Sequence, residues 1–91
     1  MSTTEKIETT LRQALAATEV TVEDESALHA GHAGTASGGG HFRVTIISPQ
    51  FEGKSLVARH RMVYQALASE IQHAIHALAL TTLTPSQQSS E

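Results

Sequence analysis

Cysteine is absent from the 91 residues of this chain. That absence excludes disulfides, thiolate catalysis and any sulfur-ligated metal or iron–sulfur site completed by this chain alone. Aromatic residues are scarce, with two Phe, one Tyr and no Trp, so aliphatic side chains must build the core. Cations are few as well: six Lys and Arg against nine Asp and Glu leave a net charge of −3 with histidine neutral. A nucleic-acid polycation is therefore excluded, although a local basic face is not. No apolar run approaches the ~20 residues of a membrane span. The opening Met1-Ser2-Thr3-Thr4-Glu5 lacks the basic-then-apolar pattern of a signal peptide, so a cytoplasmic location is the expectation. At roughly 100–150 residues per domain the length fits one unit, read here as residues 1–85 with a disordered polar tail at 86–91. Against this plain background, six histidines stand out.

Hydrophobic spacing predicts the elements. Over residues 3–18, Ile7, Leu11 and Leu15 recur every four positions as one helical stripe, with Thr3 or Thr4 as the expected cap and Glu5 at the positive end. The period then drops to two. Val20 and Val22 alternate with Glu19, Thr21 and Glu23 as in a half-buried strand, and Phe42, Val44 and Ile46 alternate with His41, Arg43 and Thr45 as in a second. Between them, residues 26–40 have no periodicity and carry five of the six glycines, which reads as a long loop of the functional or disordered kind. Pro49 ends the second strand because it has no N–H for a ladder. After a turn at Phe51-Glu52-Gly53, Ser55 is the expected cap of a helical stripe of Leu56, Val63, Leu67 and Ile71, broken near Arg59. Residues 76–83 read as a third strand with Leu78 and Leu80 on one face. The order helix–strand–strand–helix–helix–strand implies an α+β fold, a three-stranded mixed sheet covered on one face by helices.

Several chemistries fail on spacing. Gly53-Lys54-Ser55 resembles the end of a Walker A loop, but that motif requires glycine where Ser48 stands. Gly38-Gly39-Gly40 leads into a strand rather than a helix, and no serine sits in a nucleophile elbow. Glu19, Glu23, Asp24 and Glu25 read as solvated charges at a strand edge. Histidine is the remaining chemistry. His29 and His32 lie in the glycine-rich segment, His41 opens the second strand and His76 opens the third; imidazoles from a loop and a strand suit zinc, iron or copper. His29, His32 and His76 could also make a plain zinc site. His60 shares the apolar stripe and reads as a packed, hydrogen-bonded residue, and His73 as solvent-facing. A second candidate is basic: Lys54, Arg59 and Arg61, with no acid between Glu52 and Glu70, form a patch that phosphates or an acidic partner could meet.

Taken in order, Asp24-Glu25-Ser26, the His/Gly segment, His41-Phe42-Arg43-Val44, Phe51-Glu52-Gly53-Lys54-Ser55, Arg59-His60-Arg61-Met62-Val63-Tyr64 and His76-Ala77-Leu78-Ala79-Leu80 resemble the BolA family over roughly residues 5–85. The resemblance implies a fold similar to class II KH domains and no enzymatic activity. It implies a heterodimer with a monothiol glutaredoxin of the Cys-Gly-Phe-Ser type, sharing a [2Fe–2S] cluster for trafficking and iron regulation. Glutaredoxin and glutathione would bring the thiolates, and this chain would bring His76 together with His32, or His29 in its place. His41 matches a family position as a structural residue first and a substitute ligand second. No cluster is expected to be held tightly by the isolated chain, and retention is expected to weaken toward pH ~6 as imidazole protonates. DNA, through Lys54, Arg59 and Arg61, is the other partner the resemblance admits; the oligomeric state is open, and a second copy of the chain stands beside DNA as a partner to test. One departure is that Gly39-Gly40 stand where the family often has an acid before His-Phe.

Overall fold

The computed structural model describes residues 2–25, 40–73 and 75–89. The first helix, α1 (Thr3–Leu15), is capped by Ser2, ahead of the expected Thr3 or Thr4. Ser2 accepts the Glu5 backbone N–H at 3.2 Å, and the Glu5 carboxylate accepts the Ser2 N–H at 3.1 Å. This reciprocal pair requires Ser and Glu three apart, which Thr3 and Thr4 cannot supply. The helix stops at Leu15 rather than 18, because Ala16 turns left-handed at φ 50°. Ser48 secures that end by donating its hydroxyl to the freed Leu15 carbonyl at 2.5 Å.

Strand β1 (Glu19–Asp24) pairs antiparallel with β2 (Gly40–Ile47), and β2 pairs in parallel with β3 (Ile75–Leu83), giving the order β1-β2-β3. The alternation read in the sequence holds: Phe42, Val44 and Ile46 are buried, and with Val20 they meet Ile7, Leu11 and Leu15 of α1. Burial of each such aliphatic side chain contributes roughly 1.5–3 kcal/mol. Among the described residues the opposite sheet face is left bare at Thr21, Arg43, Ala77, Ala79 and Thr81, all exposed.

After a single 3-10 turn (Pro49–Phe51), α2 (Leu56–Ala66) and α3 (Ala68–His73) cross back to β3. Ser55 caps α2, accepting the Ala58 N–H at 3.1 Å. The break falls at Leu67, not near Arg59. Leu67 is fully buried, and the chain bends there so that this side chain enters the core while Ile71 still donates to its carbonyl at 2.9 Å. Leu56 is 62% exposed, against the expected stripe; seven residues, about 10 Å of helix, separate it from buried Val63 and carry it past the core. The tail also departs from expectation. Pro85–Ser89 forms a short helix, α4, whose start is fixed by Thr84 donating its N–H to Gln87 Oε1 at 2.9 Å and accepting the Gln87 N–H at 3.2 Å. No helix among the described residues is long and apolar enough to cross a membrane.

Candidate functional site

The ladder between β2 and β3 contains one irregularity, and it lies at the histidines. Gly40 stands opposite Ile75, but His41 stands opposite Ala77, so His76 is an extra residue on β3. A β-bulge of this kind re-aims a side chain. Ile75 stays in the core while His76 and Ala77 both emerge. The His76 ring thereby lies beside that of His41, with centroids 5.3 Å apart and planes tilted by 44°. His76 is exposed and His41 half-buried. Next to them Glu25, His41, Phe42, Ala77, Leu78 and Ala79 line a shallow open cleft of ≈ 180 Å³.

The same rim holds both ends of the 26–39 stretch. Glu25 donates its backbone N–H to the His41 carbonyl at 2.7 Å, and Gly40 faces Ile75. His29 and His32 themselves lie outside the described residues. Among the described residues no three His, Cys, Asp or Glu are grouped to hold a metal ion, so the strand histidines form a partial set of nitrogen donors.

Charge at the cleft comes from a pair that sequence reading treated as separate. Arg43 Nε donates to Glu25 Oε2 at 3.0 Å. That hydrogen bond, the Glu25 charge and, more weakly, Glu23 hold the Arg43 pKa above its ordinary value, against a small opposing effect of desolvation. In the sequence Glu25 belongs to an acidic run and Arg43 to an alternating strand; only the hairpin register brings them to one end of the sheet.

The basic candidates divide. Lys54 and Arg61 are exposed, whereas Arg59 is built into the fold. Its Nε donates to the Lys54 carbonyl at 3.0 Å, and its Nη1 donates to the Thr82 carbonyl at 3.1 Å and to Gln87 Oε1 at 2.9 Å. Its guanidinium also lies 5.8 Å from the centre of the buried Phe51 ring. Arg59 is a tie between α2, β3 and α4 rather than a free phosphate ligand. His60, expected to be hydrogen-bonded, is half-buried with a buried Nε2 that has no partner among the described residues. His73 is exposed at the end of α3, as expected.

Comparison with known proteins gives one consistent result. The family model described as BolA-like protein matches residues 11–87. The chain is 44% identical over 80 residues to the DNA-binding transcriptional regulator BolA of Escherichia coli (strain K12), covering 88% of this chain and 73% of that protein. It is 43% identical over 84 residues to Protein BOLA1, chloroplastic, of Arabidopsis thaliana, covering 89% of this chain and 52% of the relative, so it spans about half that protein's length. Among solved structures, the BolA domain of SufE1 from Arabidopsis thaliana superposes with a TM-score of 0.80 at 40% identity, covering 94% of this chain and 95% of that one.

Proposed function

The chain belongs to the BolA-like family, and from that premise we propose that it is a non-enzymatic adaptor that shares a [2Fe–2S] cluster with a monothiol glutaredoxin. The observation carrying this reading is the bulge that sets His76, exposed, against His41 at the rim where the chain enters and leaves residues 26–39. The donors suit half of a site. They are nitrogen only, the chain has no cysteine, and no third donor joins them among the described residues. A partner must therefore bring sulfur, which a Cys-Gly-Phe-Ser glutaredoxin and glutathione would do. His76 is the β3 ligand in this reading, His32 or His29 the second, and His41 the substitute. The cluster is cargo, and two imidazoles on one iron would raise its potential above that of an all-thiolate site.

The test is reconstitution with such a glutaredoxin, glutathione and iron, followed by visible spectra. Wild type should be colourless alone and gain [2Fe–2S] absorption only in the mixture; His76→Ala should lose it, and comparison of His32→Ala, His29→Ala and His41→Ala should identify the second ligand. A stable cluster on the isolated chain would falsify the shared site, as would an unchanged spectrum for His76→Ala.

A second reading rests on the Escherichia coli relative, named as a DNA-binding transcriptional regulator, together with exposed Lys54 and Arg61 at the start of α2. Two free cations predict a salt slope of only about −2. Lys54→Ala with Arg61→Ala should abolish retention on DNA while leaving the glutaredoxin-dependent absorption intact, and His76→Ala should do the reverse. Arg59 is unsuited to this test because its removal disturbs the fold.

A further inference from the structure

The two edges of the sheet are finished differently. β1, at one edge, carries Glu19, Glu23 and Asp24, charges that discourage strand addition. β3, at the other, reads Ile75-His76-Ala77-Leu78-Ala79-Leu80-Thr81-Thr82-Leu83, with no Pro, no Gly and no Asp, Glu, Lys or Arg.

The register shows which backbone groups of β3 face outward. Ser48 continues the β2 ladder by donating to the Leu83 carbonyl at 3.0 Å. Leu83, Thr81 and Ala79 therefore bond β2, and the intervening Thr82, Leu80 and Leu78 turn their N–H and C=O groups away from the sheet. One stretch of that edge is plugged: Arg59 takes the Thr82 carbonyl, and Gln87 of α4 takes the Thr84 N–H. No described residue outside the sheet hydrogen-bonds the backbone of Leu78 or Leu80. Their side chains are only partly buried against the core.

We propose that β3 pairs antiparallel with β3 of a second copy, about a two-fold axis through Ala79. This placement satisfies all four open groups at once. Leu78 exchanges two hydrogen bonds with Leu80 of the other copy, and Leu80 exchanges two with Leu78. The partly exposed leucines meet their counterparts on the helix side. Ala79 faces its own counterpart on the bare side, where its small exposed side chain leaves room. The strand is its own complement, neutral and free of proline, whereas the acidic edge at β1 offers no such match. The three-stranded sheet becomes six-stranded, and the Arg59–Gln87 plug limits the join to the centre of β3. Four hydrogen bonds and a few leucine contacts make a weak, concentration-dependent dimer rather than an obligate one.

Sedimentation equilibrium on the full chain over micromolar to millimolar concentration tests this, together with amide exchange. The expected result is reversible dimerisation with slowed exchange at Leu78 and Leu80 as concentration rises. Ala79→Lys sets like charges directly across the axis and should weaken self-association at least ~10-fold; Thr21→Lys, exposed on β1, should leave it unchanged. Circular dichroism of both variants checks that each is folded. A chain monomeric throughout, or a dimer indifferent to Ala79→Lys, overturns the pairing. Protection of Leu78 and Leu80 only when a glutaredoxin is added likewise overturns it and gives the edge to that partner.

Discussion

At the scale of single residues, one side chain changes meaning between sequence and structure. Arg59 reads as part of a cationic patch because composition counts its charge, not its contacts. Its planar donors instead reach Lys54, Thr82 and Gln87 from one position. Arg59→Ala is expected to cost on the order of 1–3 kcal/mol in a urea titration, and Arg59→Lys to recover little of it, since an ammonium cannot reproduce the fork. The histidines show the converse. His41 and His76 stood out as candidate donors by residue type, but their juxtaposition was not legible, because it follows from one extra residue in a ladder and hydrophobic alternation does not register that. Leu78 and Leu80 share a face on either count, so the stripe looked regular while the strand was not.

At the scale of elements, the strong periodicities were legible and the ends were not. The stripe of Ile7, Leu11 and Leu15 is buried as its spacing implies, and β1 and β2 alternate as read. Helix ends depend on particular partners instead: Glu5 for Ser2, Ser48 for Leu15, Gln87 for Thr84. The last two lie far along the chain or in a segment too polar to suggest a helix. The capping box carries a pH signature. Hydrogen bonds from the Ser2 backbone N–H and then its hydroxyl hold the Glu5 carboxyl below its ordinary value. A depressed folded value means the contribution is complete above the unfolded carboxylate range and is lost as the pH falls through the folded one. The Tm advantage of wild type over Glu5→Gln should therefore be present at neutral pH and vanish in acid. At the α2–α3 junction, Leu67→Ala should cost roughly 2–5 kcal/mol in chemical denaturation. Val57→Ala, at a 63% exposed position, should stay within about 0.5 kcal/mol.

At the scale of the whole molecule, one hairpin and one crossover suffice to gather the candidate site. The antiparallel β1–β2 pair brings Glu25 to His41, and the parallel β2–β3 pair brings His76 to the same end. The architecture was legible because the order of elements allows few ways to build a sheet with one covered face. The layout of the edges was not, since it turns on which backbone groups face outward, a property of register and not of residue type. The bulge has a final consequence. The positions after Ala77 are needed to keep the rest of β3 in register with β2, but without His76 the strand would run from Ile75 to Ala77 in unbroken step with Gly40 and His41. Deleting codon 76 should therefore leave the melting temperature close to wild type, whereas deleting codon 79 inverts the strand beyond it and should unfold the protein. On that expectation the imidazole at position 76 serves the molecule that docks at this rim rather than the sheet that carries it.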